Sequence, residues 1–229
     1  MTKRVNFCKT DSLLTSEEKY KMITTEYPLR DFDSPEDESK HLLKKQIYWT
    51  YTPKVIPPFV FEPLLCILQD YCVTASSSTR RSCVFNGIHE QTLEFNYGKM
   101  AIYPWKYVPS IISDICRIIE NVTQQKYDYV LVHIYSEGSS SISWHSDKEA
   151  SESTIASLSL GATRKFRLRT IGRTQGWDHE IKLNDGDLIV MHGPDPITGR
   201  KSCQEVYQHS VPVEKKVKSP RINMTFRQY

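Results

Sequence analysis

From Tyr127 to the end of the chain, short β-prone segments alternate with turn signals, and this spacing restricts the fold more than any other feature. The segments are Tyr127–Tyr135, Ile142–His145, Ile155–Leu160, Lys165–Arg169, His179–Leu183, Asp187–Met191, Tyr207–Val211 and Ile222–Arg227. Between them stand Glu137-Gly138, Leu160-Gly161, Asn184 to Asp187, Gly193-Pro194 and Ser219-Pro220, all turn-forming combinations. Strands this short and this regularly punctuated predict a sandwich or jelly roll. Two helices precede them. One begins in Pro57–Tyr71, with Pro63 tolerated in the first turn. The other carries Val108, Ile111, Ile112, Ile115, Ile118, Ile119 and Val122 at i, i+3, i+4 spacing, a stripe that packs against the outside of the roll.

The remaining composition bounds the problem. With 229 residues, 39% of them hydrophobic, the chain suits one large domain, or one domain with an extension. Residues 1–46 are polar and read as a partly disordered N-terminal extension; 47–229 read as a single domain. A net charge of +3 permits nucleic-acid binding without demanding it. No apolar run reaches the length of a membrane span, and the first residues lack the apolar core of a signal peptide. Six cysteines form no C-x-x-C pair and read as reduced, which points to the nucleus or cytoplasm rather than secretion. The expected oligomeric state is a monomer.

Within the strand-rich region, His145 and Asp147 stand two apart and share a side if the chain is extended there. Alone, the pair also fits a solvated turn. His209, on a distant strand that a roll can bring alongside, completes two imidazoles and one carboxylate, the facial set of a non-haem iron(II) site. On the last strand, alternation puts Arg221, Asn223, Thr225 and Arg227 on one face and Ile222, Met224 and Phe226 on the other. The arginines lie roughly 20 Å apart at ~3.3 Å per residue. Guanidinium groups suit bidentate carboxylate binding, so a short diacid fits between them. An edge strand with its polar face in water gives the same pattern.

These residues resemble the AlkB family of iron(II)- and 2-oxoglutarate-dependent dioxygenases. The resemblance runs from about Pro57 to the C-terminus and is densest in Ser141–Asp147, Ile155–Arg164, Gly186–Met191, Tyr207–Pro212 and Pro220–Arg227. It implies an α+β, mainly β fold: a double-stranded β-helix (jelly roll) with outer supporting helices and a nucleotide-recognition lid at about 79–100, the catalytic core spanning about 127–229. It makes His145, Asp147 and His209 the Fe(II) ligands, and places Tyr135, Arg221, Asn223, Thr225 and Arg227 around 2-oxoglutarate, with O2 as second cosubstrate. His133 stands where the family usually has asparagine. It either donates a comparable hydrogen bond, with a proton state that matters near neutral pH, or is a packed barrel histidine.

The resemblance also implies a substrate: DNA carrying N-methyl lesions of the 1-methyladenine and 3-methylcytosine type, repaired with release of formaldehyde, succinate and CO2. The target base must be flipped out or single-stranded to be reached. Arg80 and Arg81 are candidate phosphate contacts, and Tyr97, supported by Phe95, a candidate stacking platform. Trp144 and Glu149, flanking the metal motif, join the substrate set. Lys215 and Lys216, in a basic loop after the His209 strand, resemble a grip on the second strand and favour duplex over single-stranded DNA. The alternatives are an RNA demethylase, a dioxygenase acting on protein or lipid, and a non-catalytic roll that binds nucleic acid.

Overall fold

Two β-sheets lie face to face. A computed structural model describes residues 47–74, 79–89 and 100–229. The extension 1–46 and the proposed stacking residues Phe95 and Tyr97 lie outside the described residues. Four strands precede the expected set: β1 (Trp49–Thr52), β2 (Val73–Thr74), β3 (Arg80–Asn86) and β4 (Ala101–Pro104). The expected eight follow as β5 (Tyr129–Tyr135), β6 (Ile142–His145), β7 (Ile155–Gly161), β8 (Arg164–Thr170), β9 (His179–Leu183), β10 (Asp187–Met191), β11 (Tyr207–Val211) and β12 (Arg221–Arg227).

The larger sheet runs β1-β10-β7-β12-β5-β3, with β2 and β4 dividing the far side of β3. The smaller runs β6-β11-β8-β9. All pairings are antiparallel except β3 with β4. This is a jelly roll. It departs from expectation at β3: the first part of the presumed lid, Arg80–Asn86, is a strand fully paired with β5, and its residues 82–85 are buried.

β12 sits between β7 and β5, and all seven of its residues are buried. An exposed edge strand is thereby excluded. Ile222, Met224 and Phe226 face a core shared with α1 (Phe61–Tyr71) and α2 (Ser110–Thr123). There Ile111, Ile112, Ile115 and Ile119 are fully buried, each worth about 1.5–3 kcal/mol in removed apolar surface. The alternate residues of β12 face the smaller sheet. A third helical turn, α3 (Cys203–Val206), leads into β11 and begins with a reciprocal cap between Ser202 and Glu205.

Arg164 closes one end of the roll. Only 1% exposed, its guanidinium donates to the carbonyls of Glu137, Ser140 and Pro212 and pairs with Glu214 at 3.2 Å. It thus ties the β5–β6 loop to the β11–β12 loop. The same junction requires glycine at 138, where a Cβ would lie 1.9 Å from the Glu214 carbonyl oxygen. Cys72, Cys83, Cys116 and Cys203 are free and buried. Arg164→Ala leaves several carbonyls and a carboxylate without their donor, so it should cost about 2–4 kcal/mol. Urea unfolding measures this; a loss below about 0.5 kcal/mol would mean the loops do not depend on Arg164.

Candidate active site

His145 and His209 meet because their strands pair: they are direct partners in the β6–β11 register. Between that pair and Val211–Ile142 the register shifts, a β-bulge in β6. The bulge lets Ile142 and His145 both face the space between the sheets, re-aiming a side chain beside a site as bulges commonly do. Asp147 follows on the turn into Lys148–Ala150, its backbone N–H donating to Gln204 Oε1 at 2.9 Å. The donor atoms of His145, Asp147 and His209 lie within 4.8 Å of one another. His145 Nδ1 lies 2.8 Å from the Ser143 carbonyl. A carbonyl only accepts, so Nδ1 carries the proton and Nε2 presents a lone pair to the cleft. Phe166 stacks on His209 and fixes its plane.

The charges suit a cation. Burial would raise the Asp147 carboxyl, but the adjacent charges, Arg227 foremost, hold it below the usual carboxylate range. Burial pushes His209 down to about 3, so at neutral pH it is an uncharged donor. The residues present therefore fit one divalent metal, with two imidazoles and a carboxylate on one side of it.

From the triad the cleft extends along the larger sheet past His133, Asn223 and Thr225 to Tyr135. Beyond it lies Arg221, 1% exposed, its guanidinium 5.0 Å from the Tyr135 ring centre. One terminal nitrogen donates to Ser159 Oγ at 2.7 Å. Its Nε and Nη1 are buried with no hydrogen-bond partner. A buried guanidinium with two unused donors is costly unless an anion completes it. This is the fit test for a carboxylate cosubstrate, and the site passes it.

Other expected residues are placed differently. Arg227 does not oppose Arg221 across a diacid. Its guanidinium pairs with Asp147 at 3.1 Å and Glu149 at 2.6 Å, bracing the metal end. Asn223 donates to Ser157 Oγ and the Leu158 carbonyl, and Thr225 to the Leu131 carbonyl, while both line the cleft. Arg81 donates to the carbonyls of Gln69 and Cys72 at the end of α1, so its charge staples a helix rather than waiting for phosphate. Arg80 lies over the Tyr135 ring at 5.7 Å. Trp144 is on the opposite side of β6 from His145, as neighbours on a strand are, and lies beneath Arg169. Lys215 and Lys216 are exposed on the β11–β12 loop. Ser82, Ser157, Ser159, Phe166 and Gln204 escaped the sequence reading. For Gln204 a signal existed: Ser202 and Glu205 have capping-box spacing and announce the turn that carries it.

His133 lies against Ser82 Oγ at 2.7 Å and lines the cleft. Burial, then Arg80 and Arg227, push it from 6.5 down to about 3. It is neutral across the physiological range, which removes the expected sensitivity near pH 7. The unfolded chain takes up a proton below about 6.5 that the folded chain refuses. Stability should therefore fall as pH drops from about 6.5 towards 3, by up to ~1.4 kcal/mol per pH unit for each such histidine. His209 acts in the same direction. In metal-free protein, His133→Asn should flatten this slope by about one proton, read from urea unfolding at a series of pH values. An unchanged slope would show that His133 is not held neutral by the fold.

The comparisons with known proteins agree with this geometry. The model of the 2OG-Fe(II) oxygenase superfamily matches residues 70–227. The chain is 33% identical over 144 residues to DNA oxidative demethylase ALKBH2 of Mus musculus, covering 59% of this chain and 56% of that protein. It is 31% identical over 145 residues to alpha-ketoglutarate-dependent dioxygenase alkB homolog 3 of Homo sapiens, covering 59% and 48%. The chain thus spans about half the length of the curated relatives it matches. The solved structure of OsALKBH1 superposes with a TM-score of 0.54 at 15% identity, over 80% of this chain and 97% of that one, which supports the jelly-roll fold. With the triad, the cleft and the family match in agreement, the chain belongs to the 2OG-Fe(II) oxygenase superfamily, as a member of AlkB type.

Proposed function

We propose that this chain is an Fe(II)- and 2-oxoglutarate-dependent demethylase of nucleic acid that removes N-methyl groups of the 1-methyladenine and 3-methylcytosine type from DNA. The observation that carries the reading is a metal-binding triad at one end of a cleft and a buried, incompletely satisfied arginine at the other. That pairing suits a cosubstrate that chelates a metal and ends in a carboxylate. The relatives named as demethylases supply the substrate class. A nuclear or cytoplasmic place of action belongs to the same proposal. Among the described residues no helix is long and apolar enough to cross a membrane.

Each residue has a role derived from its position. His145, Asp147 and His209 hold the metal. Iron, when bound with 2-oxoglutarate and O2, supplies the oxidation of the methyl group. Arg221 and Tyr135 receive the distal carboxylate, and Ser159 holds the Arg221 fork. Asn223, anchored on β7, and His133, anchored on Ser82, keep polar atoms along the cleft wall. Arg227 keeps Asp147 ionised and holds Glu149 at the mouth. There the Glu149 carboxylate is placed to accept from the exocyclic amine of an entering base. Phe166, Ile142 and Val211 exclude water from the far wall.

Duplex DNA is the preferred form in this reading, supported by exposed Lys215 and Lys216 on a loop that Arg164 and Glu214 fasten to the roll. RNA is the alternative. Mass spectrometry on methylated single- and double-stranded DNA and RNA oligonucleotides, with iron(II), ascorbate and 2-oxoglutarate, tests both levels. Loss of the methyl mass with equimolar formaldehyde is expected, fastest on duplex DNA. Succinate formation with no change in any oligonucleotide would move the chemistry to another substrate class. Arg221→Ala should raise the KM for 2-oxoglutarate about ten- to hundredfold, the worth of a charge-assisted bidentate contact, with little change in KM for the oligonucleotide. Equal changes in both constants would mean that Arg221 does not select the cosubstrate.

A further inference from the structure

The outer face of the smaller sheet is charged in a way that the fold does not require. Register fixes its membership, since cross-strand partners share a face. Lys165 stands opposite Lys182 and Arg167 opposite Glu180 on β8 and β9. Arg169 stands opposite Gln208 on β8 and β11. Four cations, Lys165, Arg167, Arg169 and Lys182, thus meet one carboxylate, Glu180. Glu180 is shared between Lys165 at 3.4 Å and Arg167 at 2.7 Å, so one carboxylate serves both, and Lys182 stands directly opposite another lysine, an unfavourable pairing in a sheet.

Two tryptophans are interleaved with these cations. The Arg167 guanidinium lies 3.7 Å from the ring centre of Trp177, and that of Arg169 lies 4.4 Å from the ring of Trp144. Each arginine is held further by its Nε, Arg167 on Glu180 and Arg169 on Gln208. Their terminal nitrogens have no hydrogen-bond partner among the described residues. Stacked, oriented guanidinium groups with open terminal N–H groups are pre-organised for phosphate. Trp177 remains 43% exposed, leaving ring surface for a base. Trp144 is the chain neighbour of His145, so this face and the metal cleft are the two sides of one sheet.

We propose that this face tracks the strand that carries the nucleotide in the cleft wherever that strand is unpaired, with phosphates on Arg167, Arg169, Lys165 and Lys182 and a base against Trp177. The proposal rests on the demethylase reading for its polymer. It deepens that reading by giving the enzyme a strand-tracking surface outside the cleft. An acidic protein segment would satisfy the charges but would leave the tryptophans without a purpose.

The test compares a methylated trinucleotide with a methylated single strand of about 20 nucleotides, longer than typical single-strand site sizes. Binding is followed by fluorescence anisotropy across a salt series, and demethylation by mass spectrometry. In Arg167→Ala/Arg169→Ala, two lost phosphate contacts should lower the log-affinity against log-salt slope on the long strand by about 1.4 and weaken binding at least tenfold at ~0.1 M salt. Trinucleotide turnover should remain at the wild-type rate. Lys165→Gln/Lys182→Gln, which removes an opposed pair and leaves Glu180 on Arg167, should lower the same slope with the fold intact by circular dichroism. Unchanged slopes in both variants overturn the proposal, as does a loss of equal size on both lengths. Retained oligonucleotide binding with lost binding of polyglutamate would assign the face to an acidic protein instead. Failure of the wild type to demethylate either oligonucleotide counts against the demethylase reading alone, because long-strand binding still decides the face.

Discussion

A polar face buried at the centre of a sheet is the constraint on which the site depends. β12 is covered by β7 and β5 along its edges, by the helices on one face and by the smaller sheet on the other. Arg221, Asn223, Thr225 and Arg227 are therefore all taken out of water on a single strand. Burying such groups is unfavourable unless each finds a partner. Asn223 and Thr225 find theirs within the protein, and Arg227 finds Asp147 and Glu149. Arg221 is satisfied only in part. The strand thus sets a stable, braced metal end against an unsatisfied anion-binding end, and that asymmetry orients a bifunctional cosubstrate.

The electrostatics follow from the same burial. Low dielectric surroundings remove the charge from His133 and His209, while Arg227 preserves it on Asp147. The cleft therefore offers one anion and neutral imidazoles to a cation at one end, and a cation to an anion at the other. At neutral pH neither His209 nor Asp147 has to give up a proton before it ligates a metal.

Much of this was legible in the sequence, for identifiable reasons. The strands after Tyr127 announced themselves because alternation and turn residues are local properties, and so did the periodic isoleucines of α2. His145, Asp147 and His209 were readable because metal chemistry restricts residue type and spacing. What stayed hidden was set by long-range pairing. The alternation of β12 is the same for an edge and a centre strand; only its neighbours decide. The resemblance places a lid at about 79–100, and its first part, Arg80–Asn86, pairs along its length with β5, a long-range partner that the sequence does not announce. Arg81 and Arg227 were assigned to phosphate and cosubstrate because charge is visible in a sequence, whereas the carbonyls and carboxylates that claim them are not. The bulge in β6 was equally invisible: it turns Ile142 to the same side as His145, which alternation alone would not do.

The account stands or falls on whether one cleft holds metal and 2-oxoglutarate together. The most direct measurement is an anaerobic visible-absorption titration of the iron(II) protein with 2-oxoglutarate, following the charge-transfer band that appears when the oxoacid chelates ferrous iron. The account predicts a saturable band at one equivalent each of iron and 2-oxoglutarate. The band should be absent in Asp147→Ala, and displaced to much higher 2-oxoglutarate concentration but still formed in Arg221→Ala. A band of undiminished affinity in the Asp147 variant, or none in the wild type with iron demonstrably bound, would contradict it.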